Sequence, residues 1–164
     1  MASGFHQLLI LLLAGTGFVL SVMVGPREAL HDRARELAVR IPLVFQILTA
    51  AGDRYLAANL GGFRILVSEA YRMGPAELAL QAQLQKDVSW LNPAHEDNYY
   101  IASAILSVPE LIPAAQYILR RAADARPRDW QPLFYYGFNR YYFEQNPVAG
   151  AQALLEAVPR MADE

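Results

Sequence analysis

Cysteine is absent from the 164 residues, which removes disulfides, thiolate nucleophiles and zinc–thiolate sites from consideration. The compartment stays open, because reducing and oxidising locations both tolerate cysteine-free chains. A basic excess is missing too: 14 Lys and Arg stand against 16 Asp and Glu, for a formal net charge of −2. Nucleic-acid binding by phosphate neutralisation therefore has no electrostatic footprint, and no nucleic-acid partner is expected. Histidine is scarce, at three copies, and the chain lacks HExxH, GxxxxGK(S/T), GxGxxG and GxSxG. The sequence thus offers no familiar catalytic or cofactor-binding constellation, and neither enzyme activity nor a cofactor is expected. Period-two alternation and Asn-Gly hairpin signals are also lacking, which argues against a sheet.

A further absence is local: no charged side chain precedes Arg27, and residues 8–24 read LLILLLAGTGFVLSVMV. The 18 residues 8–25, as a helix rising ~1.5 Å per residue, just cross a hydrocarbon core of ~30 Å. The expectation is a single transmembrane helix over residues 8–25, after a short polar N-terminus at residues 1–7, with membrane lipid around it. Without residues 8–24 the mean hydropathy of +0.14 falls to roughly −0.1, an ordinary value for a water-soluble domain. All 30 charges then lie on the 138 residues from Arg27 onward, about 22% against a globular norm of ~25%.

A cleaved signal peptide is the rival reading, but MASGFHQ lacks the usual basic lead and Val24 to Arg27 offers no good small-x-small cleavage site. Retention as an anchor is favoured. Arg27, Arg33, Arg35 and Arg40 follow the run and no Lys or Arg precedes it, so the positive-inside rule leans the domain toward the cytoplasm. Gly17, Ser21 and Gly25 recur every fourth residue. That spacing lets two membrane helices approach closely, as in a homodimer or partner-helix seam; the alternative is that small residues are simply common in such helices.

After the run the chain reads as short helices, so the fold class is all-α. Residues 26–41 suit a polar juxtamembrane helix opened by Pro26, and residues 42–164 form the remaining domain. Pro42 opens a nearly charge-free helix through Ala51, too short to span a membrane. Gly52, Gly61-Gly62 and Gly74-Pro75 punctuate the next piece. Leu80, Leu84, Val88 and Leu91 then recur at helical spacing until Asn92-Pro93.

Pro93 and Pro127 are 34 residues apart, and a fixed period of that size marks stacked helical hairpins. In the unit ending at Pro127, Ala115, Leu119 and Ala122 match the small, large-apolar and small positions of a second helix. Tyr99, Ala102, Ser103 and Leu106 suit the first. One period on, Leu133, Tyr136, Gly137 and Ala149 take the corresponding places, Arg140 misses its own unless Tyr141 fills it, and Ala153 is undersized. One period back the pattern largely fails.

On these residues the sequence resembles a membrane-anchored tetratricopeptide-repeat protein over residues 76–160. The resemblance implies about three stacked antiparallel hairpins, the usual minimum for such arrays, and a concave groove that holds protein partners. Seven of the ten residues 134–143 are Phe or Tyr. The family's geometry turns Phe134, Phe138, Tyr141 and Tyr142 toward that groove, with Asp97 and Tyr100 in similar positions one unit earlier. A tyrosine-rich core, helped by Trp90 and Trp130, is the alternative reading of these aromatics.

Three functions follow as expectations. The first is a non-enzymatic, membrane-anchored adaptor or scaffold mediating protein–protein interaction. The second is an accessory structural subunit of a membrane complex, held through Gly17, Ser21 and Gly25. The third, remote, is a small metal-binding or enzymatic protein centred on His95, Glu96 and Asp97, although acidic residues in a first helical turn complement the helix dipole without any metal. Arg120, Arg121, Arg126 and Arg128 read likewise as a partly paired helix exit rather than an anion site.

Overall fold

Proline sets most of the helix starts. Its fixed φ suits a first turn, and its missing N–H is one the helix could not use there. The structure is a computed structural model that describes residues 13–16, 40–68 and 73–161. The chain divides into two compact units, Met1–Leu37 and Ala38–Glu164. Of the first unit only residues 13–16 are described, and they are helical. The rest of the expected membrane segment at residues 8–25, including Gly17, Ser21 and Gly25, lies outside the described residues, as do residues 26–39 of the expected juxtamembrane helix. No helix among the described residues is long and apolar enough to cross a membrane.

The second unit is all-helical among its described residues. It comprises α1 (Leu43–Thr49), α2 (Arg54–Leu66), α3 (Pro75–Leu91), α4 (Glu96–Ile105), α5 (Ile112–Ala125), α6 (Gln131–Tyr142) and α7 (Pro147–Met161). Pro75, Pro113, Pro132 and Pro147 each fall in a first turn. Pro42 instead precedes α1, which is shorter at both ends than the expected Pro42 to Ala51. Its end is set by two left-handed residues, Ala51 (φ 54°) and Gly52 (φ 86°). The Gly52 N–H returns to the Ile47 carbonyl at 2.8 Å, satisfying one of the last turn's free acceptors. Asp53 then caps α2 by accepting from the Tyr55 and Leu56 N–H groups at 2.8 and 3.2 Å.

Consecutive helices pair as hairpins α2–α3, α4–α5 and α6–α7, with α1 packed on α2. The hairpins stack because α3 also packs on α4 and α5, and α5 on α6. The central core joins Tyr99, Leu106, Ile118 and Leu119 to Ala102, Ala115 and Ala122, all buried. Alanines at these places let helix axes approach while the large side chains fill the space between. The second unit is thus a helical-hairpin array.

Arginines fasten its ends. The Arg40 guanidinium donates twice to the buried Asp87 carboxylate on α3, at 2.9 and 2.7 Å, the bidentate geometry that matches fork to carboxylate. Arg54 donates to the Leu91 and Trp90 carbonyls at 2.6 and 2.9 Å, closing the C-terminus of α3. Arg160 does the same for α5, donating to the Ala123 carbonyl at 2.8 Å and to those of Arg126 and Asp129.

The repeat is real but its period shifts. Second helices start at Ile112 and Pro147, 35 residues apart rather than 34. Ala115, Ile118 and Ala122 therefore correspond to Gly150, Ala153 and Ala157, and all six are buried. This corrects the expected place of Ala149, which is only half-buried. The small residue at the α6–α7 crossing is Gly150, facing Gly137. A methyl on Gly137 would stand 3.0 Å from the Gly150 carbonyl oxygen, and one on Gly150 would stand 3.0 Å from that of Gly137.

Candidate functional site: the aromatic face of α6

The start of α6 is pinned by Asp129, whose carboxylate accepts from the Gln131 N–H at 3.0 Å, an interaction that favours a helix N-terminus. The same carboxylate joins the two hairpins. It accepts from the Tyr99 hydroxyl at 2.7 Å and from Arg126 Nε at 2.7 Å, while Arg126 also donates to Glu96 at 2.9 Å and to the Ala94 carbonyl at 3.2 Å. Burial alone would raise the Asp129 pKa. The hydrogen bonds from Tyr99, Arg126 and the Gln131 backbone outweigh that and hold it below the ordinary carboxylate range. Tyr99 is pushed far up, first by burial and then by its bond to this anion. The clasp is a structural lock between α4 and α6 at pH values where Asp129 is ionised.

Helical spacing then sorts the aromatics. Leu133 and Gly137 point into the array and are buried, and Tyr135 and Tyr136 are half-buried against the α4–α5 core. Phe134, Phe138, Tyr141 and Tyr142 are exposed, at 41, 44, 57 and 56%. The rings are ordered against one another. Phe138 and Tyr142 stack with centroids 5.6 Å apart and planes 7° apart, and Trp130 meets Phe134 edge-on at 5.7 Å. Arg140, which sequence spacing left without a place, donates to the Tyr136 hydroxyl at 2.8 Å and pairs with Glu144 at 3.3 Å. Tyr141 does not replace it in the core.

Tyr100 and Asp97 on α4 differ from the four. Tyr100 is half-buried, stacks on Tyr99 at 4.6 Å, meets Tyr135 edge-on at 6.4 Å and donates its hydroxyl to Gln131 Oε1. It forms a fixed wall beside α6. Asp97 is exposed in the first turn of α4. The core reading of the aromatics therefore fits Tyr99 and Tyr100, and the surface reading fits the α6 stripe. Trp90 is exposed rather than core.

His95, Glu96 and Asp97 do not converge. His95 precedes α4 with its ring against Gly62, where a methyl would meet Nε2 at 2.8 Å, and Glu96 is turned to Arg126. Among the described residues no group of three His, Asp or Glu side chains could hold a metal ion. Of the arginine set, Arg120 pairs with Asp124 at 3.2 Å and Glu156 at 3.4 Å, and Arg121 donates to the Ser89 carbonyl at 3.3 Å. Sequence reasoning missed the Tyr99–Asp129–Arg126 clasp, in which Tyr99 lies 30 residues from Asp129 with no local pattern linking them.

No protein-family model, curated protein or solved structure matches the chain.

Proposed function

We propose that the protein is a non-enzymatic adaptor of the tetratricopeptide kind, anchored in a membrane by residues 8–25, that holds a protein partner on the aromatic face of α6. The observation that carries this reading is the exposed stripe of Phe134, Phe138, Tyr141 and Tyr142 on a helix whose other side is locked into the array. Four large aromatic rings left in water are an unfavourable surface for a free domain, and they give a partner large contact area with few rotamers to freeze. Tyr100, held by Gln131, gives the face a rigid neighbour. Support for the anchor is the uncharged 18-residue run, and the lysine and arginine distribution leans the array to the cytoplasmic side.

The test uses the full chain crosslinked in its native membranes, with and without the pair Phe138→Ala and Tyr141→Ala. A defined set of adducts that disappears in the double variant is the expected result. Adducts that persist unchanged would remove α6 as the binding face and favour an accessory subunit held by its N-terminal segment. A reporter fused to the C-terminus, active only in the cytoplasm or only outside it, decides the side.

A further inference from the structure

A second surface is unlike the first. Helix α2 buries Ala57, Ala58, Gly62 and Ile65, and these occupy one side of the helix. Leu56, Leu60, Phe63 and Val67 recur at i, i+4, i+7 and i+11, which places them together on the opposite side. All four are exposed, Phe63 by 64%. The helix thus buries small residues and one large one, Ile65, and presents four large ones. The neighbouring α1 repeats the arrangement, with Leu43 and Ile47 packed inward and Val44, Phe45 and Leu48 outward.

The rim of this face has the chemistry of a water–lipid boundary. At the start of α2 the Arg54 guanidinium lies 5.7 Å from the rings of both Tyr55 and Trp90, and both aromatics are exposed. Tyrosine and tryptophan, with apolar bodies and polar tips, are residues that settle at headgroup level; Arg54 holds these two rings in place from the inward side of α2, where it is bonded to the Leu91 and Trp90 carbonyls. Residues 41–68 contain one acid, Asp53, and its carboxylate is spent on the α2 cap. No anion on this stretch repels a phosphate headgroup.

We infer that the α1–α2 face lies against a lipid bilayer surface, with Leu56, Leu60 and Phe63 in the acyl boundary and Tyr55 and Trp90 at headgroup level. The occupant is lipid rather than protein because the chain itself delivers this face to a membrane. Residues 26–42 are the whole connection between the apolar run and α1, a tether of ~60 Å at full extension. A tether that short raises the local concentration of bilayer at the face, so contacts too weak to recruit a free domain suffice. This tether step rests on the anchor reading above; the apolar face and its rim do not.

Because the chain has no cysteine, single labels are free of background. Full-length protein carrying a polarity-sensitive fluorophore on Leu60→Cys, Phe63→Cys, Leu13→Cys or Glu110→Cys is reconstituted into phosphatidylcholine vesicles containing a minority of phosphatidylglycerol. Nitroxide-bearing phosphatidylcholine is then added to the lipid. Quenching at 60 and 63 by about half or more, with little at 110, is the expected result for residues at an acyl boundary. Quenching at 13 alone would overturn this inference and leave the anchor standing. Quenching at 60 and 63 without 13 would keep the lipid face and remove the anchor. Unlabelled Leu60→Cys protein that oxidises to a disulfide dimer, with the labelled protein unquenched at 60, would assign the face to a second copy and overturn the proposal, and quenching nowhere would end both readings.

Discussion

Helices α2 and α5 each lead or close a hairpin of the same array, and they spend their large side chains in opposite ways. On α5, Ile112, Ile118 and Leu119 point inward and are buried, while Arg120 and Asp124 pair on the outside. On α2 the inward side is alanine and glycine with a single large residue, Ile65, and the outward side is leucine and phenylalanine. Position in the stack explains the difference. Helix α5 has neighbours in α3, α4 and α6, so its apolar side chains find enclosing partners, whereas among the described residues α2 packs chiefly on α1 and α3. A terminal helix in a repeat array is normally given a polar outer face. That α2 has the reverse marks its outer side as a surface with a use, and helix α6, with its ordered exposed rings, is a third case between the two.

The sharpest way to break this comparison is to truncate leucine on each helix. Leu119→Ala removes a fully buried side chain and is expected to cost about 2–5 kcal/mol in denaturant unfolding of the detergent-solubilised chain. The same change at Leu60 is expected to stay within about 0.5 kcal/mol. Equal losses would mean that the outward side of α2 is part of the core after all.

Gly137→Val comes next. The added carbons meet the Gly150 carbonyl oxygen and Leu154 at 3.0 Å, and a backbone atom cannot rotate aside. A loss of about 1–3 kcal/mol is expected, with the α6–α7 hairpin loosening first in hydrogen exchange. A neutral outcome would show that the two helices are free to separate.

Smaller, and dependent on pH, is the clasp. Tyr99→Phe deletes one donor to the Asp129 anion while Arg126 and the Gln131 N–H remain, for an expected loss of about 1.5 kcal/mol at neutral pH. Because the folded state holds Asp129 below its ordinary pKa, its contribution is complete above the ordinary carboxylate range and is lost as pH falls through the depressed value. Asp129→Asn is therefore expected to flatten the stability curve on its acid side, below about pH 4. A parallel curve would show that the carboxylate's ionisation adds nothing. Smallest of all, Phe138→Ala is expected to leave unfolding within about 0.5 kcal/mol of the parent while lowering partner recovery.

Much of the array was legible because its signals are local. Asn92-Pro93, Gly74-Pro75 and the prolines of α5 to α7 mark helix limits by backbone chemistry, and Tyr99 and Leu133 sit in the core one 34-residue step apart. The register of α7 was not legible, because it starts 35 residues after the start of α5, and that one-residue departure from the 34-residue period moves the crossing from Ala149 to Gly150. The repeat resemblance, rather than spacing alone, set Phe134, Phe138, Tyr141 and Tyr142 apart from Leu133 and Gly137, and it left a tyrosine-rich core as the alternative. Neither signal could place Tyr100, whose half-buried position depends on Gln131 and Tyr135 from the next hairpin. The α2 face escaped the sequence reading for a related reason: apolar residues on both sides of a helix give no clue to which side the array covers.

One measurement sets the two exposed faces against each other. A photoreactive group attached through Phe63→Cys or Phe138→Cys in the otherwise cysteine-free full chain is activated in native membranes, and the adducts are separated into lipid and protein. The account predicts lipid adducts from position 63 and a defined protein adduct from position 138. A protein adduct from 63, or none from 138, would contradict it.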